Sequence, residues 1–255
     1  MSSSTESQES KELTYLTDHV SLLPTEDGSH TLYHHEVGAS YRSTAGARTE
    51  SEHVFLHGTG LPQHSGEWRV LELGLGGGVN FLCTALACLE RTDVTSLRFW
   101  SVEREPLPAS LFQMDSYVDW VSEPVLLALL QDASNQAAHN KGAWSEVSCE
   151  LNGTVISLSV FHGNWQDVGR LSADVQAVYH DPFGPQVNED AWTVECFRWS
   201  AENMESNARL GTYSSAGAVR RAMAAAGLHW RKVPGPGRKR EVVVAALHPE
   251  ALPPR

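Results

Sequence analysis

The stretch from Trp68 to Phe81, WRVLELGLGGGVNF, limits what this chain can fold into more than any other. Its apolar run Val70, Leu71, Leu73 stops at Gly74, and three further glycines precede Val79, Asn80 and Phe81, which open an apolar helical pattern. Strand, tight turn and helix are predicted. Glycine suits such a turn because it tolerates positive φ and has no side chain to hold a ligand away from the backbone. The expected setting is an open α/β sheet, in which ligands sit beyond the carboxyl ends of the strands.

At 255 residues the chain is long enough to bury a full core, and one large domain with an extension is expected. A net charge of −12, from 19 basic and 31 acidic residues, argues against indiscriminate coating of nucleic acid. Cys83, Cys88, Cys149 and Cys196 lack CxxC spacing and read as buried reduced thiols, and no metal is expected. The opening MSSSTESQESKE has no apolar core or basic cluster, and no later run reaches about 18 apolar residues. A soluble, cytoplasmic protein with no membrane partner is therefore expected.

Residues 1–12 read as a disordered tail, 13–66 as a cap that is mostly β or irregular, and 67–250 as the main domain. The cap has a predicted strand at His53 to Leu56 and holds His30, His34, His35, His53, His57 and His64 without the spacing of a zinc site. In the main domain, Asn80 to Glu90 is the expected first crossover helix. Leu97 to Val102 follows as a strand ending at Glu103, where a carboxylate can accept both hydroxyls of a ribose. Helical pieces are expected between Glu105 and Asn140, then a hairpin over Val147 to Phe161 turning at Asn152-Gly153. Its second arm leads to Asn164.

A fourth strand, Ala173 to Tyr179, runs into His180-Asp181-Pro182-Phe183-Gly184-Pro185, which the topology of an open sheet brings beside the glycine turn. A carboxylate placed there can accept the N–H bonds of an amine, orient its lone pair and tolerate the charge that develops. Taken alone, Asp181-Pro182 also suits an ordinary turn leaving a strand. Helix, strand and helix follow over Val187 to Met204, Leu210 to Ser214 and Ala216 to Ala226. Two strands joined by PGPGRKR, the last antiparallel, then close a seven-stranded sheet. From Ser206 to Arg240 there is no acid, and eight cations include Arg220, Arg221, Arg238, Lys239 and Arg240. Such a strip can neutralise the phosphates of one defined polyanion, and it is also the composition of a solvated face.

Gly74, Gly76 and Gly78, preceded by the acid Glu72, are spaced G-x-G-x-G rather than the G-x-G-x-x-G of dinucleotide folds. This resembles the first motif of class I S-adenosylmethionine (SAM) methyltransferases. The resemblance implies that Glu72 holds the cofactor's methionine part, with Asn80 also on the cofactor side, and that Asn164 faces the adenine. The segments GLGGGVNF, SVEREPL, YHDPFGPQVNEDAW, TYSSAGAVRRAMAAAGL and PGPGRKRE, in that order, resemble the methyltransferase half of the tRNA 5-methylaminomethyl-2-thiouridine biosynthesis (MnmC-like) family. The similarity reaches upstream to HVFLHGTGLP.

That resemblance implies a Rossmann-like, mostly parallel sheet, SAM as cofactor without FAD, and methylation of the primary amine of 5-aminomethyl-(2-thio)uridine at tRNA position 34. By the same resemblance Asp181 is catalytic and lies against the cofactor, while Phe183 and the basic residues face the anticodon stem-loop. A stand-alone, monomeric methyltransferase without the oxidase half is expected. A SAM enzyme acting on a small-molecule or protein amine, and a non-catalytic binding module of the same fold, are the alternatives.

Overall fold

The computed structural model describes residues 14–237 and 239–254; the tail expected over residues 1–12 and Arg238 lie outside them. Among the described residues twelve strands, β1 Thr14–Tyr15, β2 Val20–Pro24, β3 His30–His34, β4 Ala39–Ser40, β5 Gly66–Leu73, β6 Val94–Glu103, β7 Trp144–Leu151, β8 Thr154–His162, β9 Val175–His180, β10 Met204–Thr212, β11 His229–Pro234 and β12 Glu241–Ala246, form two sheets. The first four make a small antiparallel sheet. The other eight run in the order β11-β12-β10-β9-β5-β6-β8-β7.

Burial explains the centre of the large sheet. Every residue of β9 and the last four of β5 are buried, as strands covered on both faces must be. Consecutive side chains go to opposite sides. Val70 and Tyr179 pack with Phe81 and Leu82 of α2 (Val79–Leu89), whereas Leu71 and Val178 pack with Phe197 of α5 (Val194–Glu202) and Met223 of α6 (Gly217–Ala225). Strands β10, β9, β5, β6 and β8 are parallel, and β12 is antiparallel to both its neighbours.

Two expectations need correction. The sheet has eight strands rather than seven, because β7 pairs along its length with β8, from Trp144↔Phe161 to Leu151↔Thr154. The count of seven left out this outer arm of the hairpin, although Asn152 (φ 52) and Gly153 (φ 79) make the two-residue turn expected there. The second correction concerns His53 to Leu56, which are helical: α1 (Ala47–Glu50) continues into a π-helix, Ser51–His57. A short apolar run such as Val54-Phe55-Leu56 fits a buried helix as well as a strand, and periodicity alone does not separate them.

Parallel register sets the position of the site. Leu73 of β5 lies opposite His180 of β9 on one side and Val102 of β6 on the other, and Glu103 lies opposite His162 of β8. Gly74, Asp181, Glu103 and Gly163 therefore leave the sheet along one edge, where the strand order reverses its direction of winding.

Candidate active site

The glycine turn and the Asp181 loop are held against each other by backbone. Asp181 N donates to Leu73 O at 3.1 Å and Gly74 N to Val102 O at 2.9 Å. Gly74 has φ +91, and a Cβ there would come within 2.8 Å of Asp181 O, so only glycine permits this approach. Downstream, Tyr213 Oη donates to Pro182 O and Trp192 Nε1 to Phe183 O, each at 2.8 Å, which pins the Asp181-Pro182-Phe183 segment.

A cavity of about 570 Å³ opens at this edge. Its wall takes in Gly74, Leu75, Gly76 and Gly77, then Glu103, Asn164, Asp181 and Phe183. Glu103 Oε2 accepts from Gly76 N and Oε1 from Glu105 N, both at 2.9 Å. Burial raises its pKa and these amides oppose the rise. Each carboxylate oxygen keeps a second acceptor position.

Glu72, Asn80 and Gly78 do not line the cavity. Glu72 is shut beneath the site, accepting from Asn80 Nδ2 at 2.8 Å and Ser101 Oγ at 2.7 Å, and burial pushes its carboxyl up to about 8. Ser51 Oγ donates to Asn80 Oδ1 at 2.6 Å, which fixes the amide so that its Nδ2 also donates to Asp181 Oδ2 at 2.9 Å. Gly78 (φ +69) faces the core, where a Cβ would meet Leu130.

The sequence gives no local sign of the residues that the N-terminal sheet contributes. His34, Tyr41 and Arg42 line the cavity, with Tyr41 4.7 Å from Phe183 and His34 6.2 Å from it, ring centre to ring centre. Arg42 Nη2 donates to Asp181 Oδ2, and both side chains are about 95% buried. Burial pushes the Asp181 carboxyl up to about 7; Arg42 pulls it down, Glu50 adds to the rise, and Asn80 and Lys239 oppose it. Arg42 itself stays charged, since Asp181 and Glu50 raise its pKa against the effect of burial.

The basic residues fall at the same edge. Arg220 and Arg221 lie in the first turns of α6, which follows the carboxyl end of β10. Lys239 and Arg240 lie between β11 and β12, whose ends at Pro234 and Glu241 reach the same side because Val243 pairs with Thr212. Arg220 stacks over Trp230 at 4.7 Å, and Lys239 pairs with Glu50 and stands 4.6 Å from the Tyr213 ring. Arg238 lies outside the described residues.

A nucleoside cofactor without phosphate suits this donor set: bare glycine backbone, a carboxylate with free acceptor capacity at a strand end, and an amide across the cavity. Among the described residues no group of histidine, cysteine or carboxylate side chains is arranged to hold a metal ion, and no helix is long and apolar enough to cross a membrane. Residues 128–248 match a family of S-adenosyl-L-methionine-dependent methyltransferases. By fold, site and this match, the chain is similar to S-adenosyl-L-methionine-dependent methyltransferases.

Its similarities to individual proteins are narrower. It is 31% identical over 252 residues to the tRNA 5-methylaminomethyl-2-thiouridine biosynthesis bifunctional protein MnmC of Burkholderia pseudomallei K96243, covering 92% of this chain and 37% of that protein. MnmC of Burkholderia mallei SAVP1 is 30% identical over 249 residues, with 92% and 36% covered. The chain thus spans little more than a third of these relatives. The crystal structure of MnmC2 from Aquifex aeolicus superposes with a TM-score of 0.68 at 25% identity, covering 92% of this chain and 72% of that one.

Proposed function

We propose that this chain methylates the primary amine of 5-aminomethyl-(2-thio)uridine at tRNA wobble position 34, giving the 5-methylaminomethyl nucleoside. The observation that carries the reading is Asp181, a carboxylate that lines the cavity beside the glycine turn and whose Oδ1 has no hydrogen-bond partner among the described residues. SAM, when bound, supplies an electrophilic methyl group. Gly74 to Gly77 and Glu103 would hold it, with Asn164 on the adenine side.

Asp181 Oδ1 accepts an N–H of the amine, orients its lone pair and receives the proton shed as the amine becomes secondary. Phe183 and Tyr41 give the nucleobase an aromatic rim. Arg220, Arg221, Lys239 and Arg240, with Arg238, carry the anticodon stem-loop of tRNA on a monomer. Its compartment is the cytoplasm.

The names of the MnmC relatives support tRNA as the substrate class. The test is incubation with methyl-labelled SAM and tRNA bearing the aminomethyl nucleoside, followed by digestion to nucleosides. Label is expected in the methylaminomethyl nucleoside from position 34. Label confined to a small-molecule amine, or absent when the protein is folded and binds SAM, would contradict the proposal.

A further inference from the structure

Arg42 carries a guanidinium that is buried at the centre of the site. It lies just after β4, 139 residues before Asp181, and its side chain is 6% exposed. A buried charge is costly unless it is paired. Its ion-pair partner is Asp181: Nη2 donates to Oδ2, Nη1 has no partner among the described residues, and the Phe55 ring lies 5.7 Å away.

Asn80 Nδ2 donates to the same oxygen at 2.9 Å. Two donors, from the N-terminal sheet region and from α2, thus converge on Oδ2. Among the described residues Oδ1 has no hydrogen-bond partner, and Asp181 lines the cavity.

We propose that Arg42 is a positioning residue: with Asn80 it clamps Oδ2 of Asp181, and this turns Oδ1 toward the incoming primary amine. The proposal rests on reading Asp181 as the acceptor for that amine. A carboxylate held by one oxygen cannot rotate to share both with a competing donor, so the acceptor is in place before the substrate arrives. The other groups facing Asp181 are Glu50 at the end of α1, Glu72 on β5, Lys239 before β12 and Tyr213 after β10. Removing Arg42 leaves Glu50 closest in effect, and the carboxyl then binds its proton more tightly.

The test uses the full chain and the variants Arg42→Met and Arg42→Lys. Titration of ¹³C-labelled aspartate by NMR, with Asp181 assigned through Asp181→Asn, needs neither cofactor nor tRNA. Arg42→Met should raise the Asp181 midpoint by about one pH unit or more and lower kcat at neutral pH about 10- to 100-fold, with the Kd for SAM within about twofold. Arg42→Lys, which keeps the charge and loses the fork, should hold the midpoint within about half a unit and recover part of kcat.

An unchanged midpoint in Arg42→Met, or an unchanged kcat, would overturn the proposal. So would equal loss of kcat, SAM binding and Tm in both variants, which marks a merely structural role. If Arg42→Met does not fold, Arg42→Lys decides: a kept midpoint with kcat lowered severalfold supports the clamp, and full activity overturns it. A parent that transfers no methyl to tRNA would overturn the substrate reading alone. The Asp181 titration would still decide the clamp.

Discussion

Asp181 is pulled in two directions, upward by burial and downward by Arg42, and its carboxyl settles at about 7. Only the ionised form can receive the proton that the amine sheds, so methyl transfer should rise with pH through an apparent midpoint near 7. A kcat profile flat from about pH 5 to 9 would contradict this. Glu72 gives a prediction about stability. Its folded-state carboxyl is raised from 4.5 to about 8, so its contribution to stability is complete below about 4.5 and is lost as pH rises toward 8. Glu72→Gln should lie close to the parent near pH 5 and exceed it by about 5 kcal/mol near pH 9, read from urea midpoints. Equal stability of the two proteins near pH 9 would show that Glu72 ionises there without cost.

The glycine turn works as an element because its residues differ in what they face. Gly76 has φ +49, and a Cβ would come within 2.9 Å of the Tyr41 ring, whereas Gly78 faces Leu130 in the core. Gly76→Val should weaken SAM binding more than about tenfold by calorimetry, because it adds bulk to the cavity wall at a backbone conformation L-residues avoid. Retained affinity would place the cofactor elsewhere. Much at this scale was legible from the chain: the strand, turn and helix around Gly74, the hairpin at Asn152-Gly153, and the antiparallel closing strand all follow from local period and turn chemistry. The helical 51–57 segment was not, since three consecutive apolar residues carry no period. Nor was Arg42: an ion pair across 139 residues depends on how the N-terminal sheet packs on the glycine turn, which no local pattern records. The role of Glu72 is implied only by the resemblance to SAM methyltransferases, and an alternating strand pattern cannot say that its side chain points beneath the cavity toward Asn80 and Ser101.

Over the whole molecule, a chain of net charge −12 gathers Arg220, Arg221, Lys239 and Arg240 at the edge of the sheet that also carries Asp181. Lys239 is already paired with Glu50, which leaves Arg220, Arg221 and Arg240 as the better candidates for binding phosphate. Replacing Arg221 and Arg240 with Gln should weaken tRNA binding and reduce the slope of log K against log salt by about one for each phosphate no longer neutralised. An unchanged slope would move the tRNA to another face and would favour a small-molecule amine as substrate.

The convergence of the glycine turn and Asp181 on one transfer reaction is tested most directly by measuring SAM binding and methyl transfer to aminomethyluridine-containing tRNA side by side, in the parent and in Asp181→Asn. Equal SAM affinity is expected, with methylated position 34 in the parent and transfer reduced about 100-fold or more in the variant. Undiminished transfer by Asp181→Asn, or none by a parent that binds SAM, would contradict it.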